Sequence, residues 1–159
     1  MIVVDTSAIV AILQYEPEAA AFLRCISDAD SICLSAVSLQ EASMVVAGRT
    51  ADATAWQDLD ALIKTYSMET IPYTEELALI VRDAFLRFGK ERHPARLNCG
   101  DCASYALARS RNIPLLSRAA TSRRRISFRR SPHPLDHRAA RWPHSGPHGD
   151  KGGIARCLR

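Results

Sequence analysis

Short apolar runs alternate with helical stripes up to position 116, and that alternation restricts the chain to one fold class. Residues 2–5, 31–35 and 113–116 read as strands, and a further one lies within "METIPY" at 68–73. Between them, helical periodicity covers 7–14, the segment "PEAAAFLRCISDA" opened by Pro17, and 38–49. It resumes over 52–66, 74–89 and 100–111. Trp56, Leu59, Ile63 and Tyr66 fall on one face of the 52–66 helix. Leu77, Ile80, Val81, Ala84, Phe85 and Phe88 form a stripe in the next, at the helical period. Strands joined through helices pair parallel, with helices covering both faces. The expected class is therefore α/β, layered around a parallel sheet.

The remaining residues do not continue the pattern. Residues 1–116 carry 10 Lys/Arg against 15 Asp/Glu, whereas residues 117–159 carry 11 against 2. The tail also holds four of the five His, four of the eight Pro and four of the seven Gly, with no apolar period. Such a segment has no face to bury, so it is expected to be a disordered basic tail on a domain spanning 1–116. Of the 159 residues, 47% are hydrophobic, enough for one core of that size. The first strand starts at residue 2 without a basic n-region or a long apolar stretch, so neither a signal peptide nor a membrane span is expected. Five cysteines, an odd number, then read as reduced thiols of a cytoplasmic protein. Cys99 and Cys102 form a C-x-x-C with no second Cys/His pair at zinc spacing, and read as small core residues.

Three acids fall at positions that a parallel sheet would bring to one rim. Asp5 ends the first strand, Glu41 lies on the first turn of the helix after the second, and Asp101 opens the helix before the last. In open parallel sheets the carboxyl ends of the strands line the ligand crevice. Each acid singly has a structural explanation. Asp5 could cap a helix, Glu41 could answer Ser38 in a capping box, and Asp101 could sit at a helix start because the dipole favours it. Together they describe a site. Converging carboxylates repel and stay ionised only beside a cation, and an all-carboxylate set suits Mg²⁺ or Mn²⁺ rather than zinc. Such an ion can activate water and stabilise charge growing on a phosphodiester.

"MIVVDTSAIVAIL", "SLQEAS" and "LNCGDCASYALARSRNIPLL" resemble, in that order, the motifs of PIN-domain ribonucleases. More narrowly, they are similar to the VapC-type toxins of bacterial toxin–antitoxin pairs. The resemblance covers residues 1–116. It implies a three-layer α/β/α sandwich, Mg²⁺-dependent RNA cleavage with Mn²⁺ as a substitute, and a cognate antitoxin that occludes the site. A homodimer is compatible with it. The family's metal-binding acids map onto Asp5 and Asp101 and its conserved glutamate onto Glu41, which makes these three the catalytic set. A family hydroxyl beside the first acid maps onto Thr6, which makes it a candidate for contacting RNA. In the loop "RFGKERHPAR" at 87–96, Arg87, Lys90, Arg92 and Arg96 are candidates for gripping an RNA backbone, a task that carries little sequence information. A solvated surface loop explains the same residues.

After "NIPLL" the family expects a stretch such as F-K-G-x-D-F, which supplies a fourth acid, and then a last strand. This chain instead reads "SRAATSRRRISFRR" at 117–130, and its next acid is Asp136. A shifted reading frame accounts for the difference. The segment can be written in codons that, with one T placed in front, translate as FKGGDFAAADIVPA, with Asp where Thr121 stands. A single-base deletion near codon 117 would produce this tail and remove the last strand. The expected function is then a metal-dependent endoribonuclease impaired by loss of the fourth acid. The alternative is an inactive remnant that still binds its antitoxin. A covalent aspartyl mechanism, as in phosphatases of the dehalogenase type, would need a second Asp where Ser7 stands.

Overall fold

The computed structural model describes residues 1–48 and 54–118. The elements are β1 (Ile2–Val4), α1 (Thr6–Leu13), α2 (Ala19–Ser27), β2 (Ile32–Ser35) and α3 (Ala36–Ala47). There follow α4 (Gln57–Thr65), β3 (Glu69–Ile71), α5 (Glu75–Phe88), α6 (Cys99–Arg111) and β4 (Leu115–Leu116). Each strand and helix expected from periodicity is present, in the expected order. The basic tail beyond residue 118, with Thr121 and the expected loss of the last strand, lies outside the described residues.

The strands form one parallel sheet in the order β3-β2-β1-β4. Within it, Val3 pairs in register with Cys33 on one side and Leu115 on the other, and Val4 with Leu34 and Leu116. Successive side chains of a strand point to opposite faces. Val3 accordingly joins a core with Ile71, Val81 and Leu107, while Val4 joins a second core with Ile9, Phe22 and Leu59. Both valines are fully buried, a gain of about 1.5–3 kcal/mol each. One strand thus anchors two cores, and the sheet is the middle layer of an α/β/α sandwich. No helix among the described residues is long and apolar enough to cross a membrane.

Helix starts follow the available caps. Asp5, Ser35, Thr74 and Asn98 each accept a backbone N–H at the head of α1, α3, α5 and α6. At its far end α6 stops on Asn112, which takes the left-handed conformation at φ 52°.

Several local expectations are corrected. Ser35, extended at φ −67° and ψ 141°, caps α3 three residues earlier than Ser38 would. Ser38 is therefore inside the helix and fully buried, Glu41 lies on the second turn rather than the first, and no capping box explains it. Likewise, α2 starts at Ala19 instead of Pro17. Trp56 and Phe85 are 51% and 40% exposed, so the buried stripes narrow to Leu59 on α4 and to Leu77, Val81 and Ala84 on α5. Cys102 is a buried core thiol as expected, but Cys99 is exposed. Cys33, Cys99 and Cys102 are free thiols.

Candidate active site

β1 runs directly into Asp5, whose backbone N–H donates to the Leu116 carbonyl at 3.0 Å and so ties it to the end of β4. The residue is 3% exposed. Its Oδ2 accepts from the Ser7 N–H at 3.0 Å and from the Ser7 hydroxyl at 2.6 Å, the second a short, charge-assisted bond. Ser7 Oγ in turn accepts from the Arg118 N–H at 3.1 Å. The other carboxylate oxygen, Oδ1, is buried and has no hydrogen-bond partner among the described residues. Leaving such an oxygen unmet costs on the order of 1–3 kcal/mol, more for a charged group. The helix-cap explanation therefore accounts for one oxygen of Asp5 and not for the other.

Asp101 is also a cap in part. Its backbone N–H donates to Asn98 Oδ1 at 2.8 Å, and its Oδ2 accepts from the Asn98 N–H at 2.8 Å, a reciprocal capping box. The carboxyl is nonetheless pushed up to about 6. Burial is the main cause, the Asn98 N–H opposes it, and the negative charges of Asp5 and Glu41 raise it further. Two acids from other elements thus act on Asp101 through space.

Glu41 reaches this rim because position 100 is glycine. Its carboxylate lies directly over Gly100 on the first turn of α6: a Cβ there would stand 2.8 Å from the Glu41 Cδ and 3.1 Å from Oε1. Only a residue without a side chain leaves that space open. Gly100 and Ser7 carry parts of the site that the motif reading above does not assign. Their signals were available: a poor helix former immediately before an acid in a first turn, and a hydroxyl two residues after a strand-ending Asp.

The structure brings Asp5, Glu41 and Asp101 to one rim but not into a closed ligand set. Among the described residues, no three His, Cys, Asp or Glu side chains are disposed to hold a metal together. Ser7 and Asn98 set the orientation of two of the three carboxylates by using one oxygen of each. The residues still fit a hard cation in their chemistry, with an orphaned buried oxygen on Asp5 and a glycine cradle beside Glu41.

The basic loop is tethered to the same place. Lys90 N–H donates to Leu97 O at 3.1 Å and Leu97 N–H to Phe88 O at 2.9 Å, so the loop closes next to Asn98, the cap of the helix bearing Asp101. Arg87, Lys90, Arg92 and Arg96 are exposed along it, with the Arg92 guanidinium 6.0 Å from the centre of the Phe85 ring. His93 packs edge-on against Phe88 at 5.3 Å. Thr6, the other candidate for contacting RNA, is placed apart from these. It is buried, and its hydroxyl donates to the Ser38 carbonyl at 3.3 Å.

Comparison with known proteins identifies the family. The PIN domain model matches residues 2–120. Ribonuclease VapC28 of Mycobacterium tuberculosis is 44% identical over 115 residues, covering 72% of this chain and 86% of that protein. Ribonuclease VapC of Mycolicibacterium smegmatis is 38% identical over 114 residues, covering 72% of this chain and 88% of that protein. Among solved structures, that of Mycobacterium tuberculosis VapC20, a sarcin–ricin loop cleaving toxin, superposes with a TM-score of 0.56 at 17% identity. The match covers 71% of this chain and 85% of that one, and at this identity it speaks for the fold. The sandwich, the ordered motifs and these relatives together place the chain in the PIN-domain family, in the VapC ribonuclease branch.

Proposed function

We propose that this chain is a metal-dependent endoribonuclease, the toxin of a toxin–antitoxin pair, in which Asp5, Glu41 and Asp101 hold Mg²⁺, with Mn²⁺ as a substitute. The observation that carries the reading is the buried, unpartnered Oδ1 of Asp5, on the rim it shares with Glu41 and Asp101. A bound cation would supply Lewis-acid stabilisation of charge developing on a phosphodiester. The protein's part is positional. Ser7 fixes Asp5 through Oδ2 and leaves Oδ1 to a ligand, Asn98 fixes Asp101, and Gly100 leaves room for Glu41. Exposed Arg87, Lys90, Arg92 and Arg96 offer contacts to phosphates, which position an RNA strand without reading its sequence. An antitoxin protein that covers this rim would silence it.

The test is cleavage of end-labelled RNA by the full chain with Mg²⁺, against Asp5→Asn and against a chelator-treated sample. Cleavage lost in both controls supports the reading. An Asp5→Asn protein that cuts as fast as the parent contradicts it. A second reading, a remnant that binds its antitoxin but cuts poorly, is favoured by one sequence fact: no Asp or Glu occurs between Asp101 and Asp136. That reading expects co-purification with the antitoxin and no cleavage at any Mg²⁺ concentration.

A further inference from the structure

We propose that the buried hydroxyls of Ser38 and Ser104 are positioning residues that set the spacing of Glu41 and Asp101, and through it the affinity of the site for a divalent cation. The inference rests on the metal-site reading above. Ser38 Oγ and Ser104 Oγ are 2.8 Å apart, both residues are fully buried, and they join helices whose hydroxyls lie 66 positions apart in sequence. Ser38 lies one turn before Glu41 on α3, and Ser104 lies one turn after Asp101 on α6. Side chains three apart share a helix face. The hydroxyl pair and the acid pair therefore project from matching faces of the same two helices.

The network extends to the third acid. The Ser38 carbonyl accepts from Thr6 Oγ1 at 3.3 Å, and Thr6 follows Asp5 directly. Each acid thus has beside it, or one turn away, Ser38 or a residue hydrogen-bonded to Ser38. The bland role for such a pair is helix packing. Replacing both partners of a buried hydrogen bond by apolar groups is often close to neutral in stability, so packing alone gives the pair little purpose. A directional bond does something small apolar side chains cannot. α6 buries Ala103, Ala106 and Ala108, which lack the shape to fix one register of two helices, whereas a hydroxyl pair at 2.8 Å allows little sliding.

The experiment measures Mn²⁺ affinity by calorimetric titration and stability by thermal unfolding on the full chain. The variants are Ser38→Ala, Ser104→Ala, the double variant, and Asp5→Asn. Each single variant strands one buried hydroxyl and should lower the melting temperature. The double variant strands none and should regain most of that loss. Its Mn²⁺ affinity should nevertheless stay about 10–100-fold below the parent, the range for residues that orient metal ligands. Parent-like affinity in the double variant overturns the proposal. If Asp5→Asn binds Mn²⁺ as the parent does, the metal-site reading itself fails and the proposal falls with it. Should the double variant not fold, Ser38→Ala and Ser104→Ala are titrated with Mn²⁺ at a temperature where each is folded. A several-fold affinity loss in either then supports the proposal, and parent-like affinity in both overturns it.

Discussion

Glu41 lies across the Cα of Gly100, so close that a Cβ at that position would stand 2.8 Å from its carboxylate carbon. The two residues belong to different helices, and their contact sets one acid beside the turn that presents another. Gly100→Ala should therefore separate stability from function. The substitution removes a poor helix former, worth at most about 1 kcal/mol, so the melting temperature should hold or rise. The Glu41 carboxylate must swing away, and metal-stimulated cleavage should fall roughly 10-fold or more. Unchanged cleavage would show that Glu41 is dispensable where it lies.

Ser7→Ala addresses the support of Asp5. It removes the hydroxyl that donates to Oδ2 at 2.6 Å but keeps the backbone N–H bond. A hydrogen bond to a charged group is worth about 1.5–3 kcal/mol, and denaturant unfolding should register a loss of that size. A loss under about 0.5 kcal/mol would mean that the hydroxyl does not restrain the carboxylate.

Asp101 predicts a pH signature for the metal-free protein. Its carboxyl sits at about 6 in the folded chain against an ordinary value of 3.8, so between these values the folded state keeps a proton that the unfolded state releases. Folding stability contributed by this group is fully present at low pH and declines as pH rises through that window. Asp101→Asn should abolish the decline, so parent and variant unfolding curves should diverge between pH 4 and about 6.5 in the parent's disfavour. A constant difference across that range would place Asp101 in an ordinary solvated setting.

The frameshift proposed near codon 117 gives a repair experiment. Replacing residues 117–130 by FKGGDFAAADIVPA and ending the chain there restores an acid at position 121. Cleavage at limiting Mg²⁺ should rise by about 10–100-fold. Solubility should also improve, because a further strand would cover β4, an edge strand among the described residues. Equal cleavage by both chains, at matched protein and metal concentrations, would show that three acids suffice.

Most of the architecture was legible because periodicity reports burial. The runs at 2–5 and 31–35 became β1 and β2, and the Leu77-to-Ala84 stripe became the buried face of α5. Asp5 was legible as a candidate site residue because a carboxylate ending a buried strand needs a partner. Ser38 was misread, since S-x-x-E fits a capping box wherever it falls, and only Ser35 in extended backbone decides where α3 begins. Its bond to Ser104 spans 66 positions, beyond any local pattern. The role of Gly100 was hidden for the same reason, because the group that needs its empty side is on another helix. Phe85 and Trp56 fit apolar stripes yet stay exposed, since helical spacing alone does not say how wide the covered face is.

The central claim is that Asp5, Glu41 and Asp101 form one divalent-cation site, and the most direct test is a crystal structure of the full chain grown with Mn²⁺ and read by anomalous scattering. The account predicts one strong peak bonded to Oδ1 of Asp5 and to the Asp101 carboxylate at roughly 2.0–2.6 Å, with Glu41 turned toward it. No peak at this rim under saturating Mn²⁺, or a peak elsewhere with Asp5 Oδ1 still unmet, would contradict it.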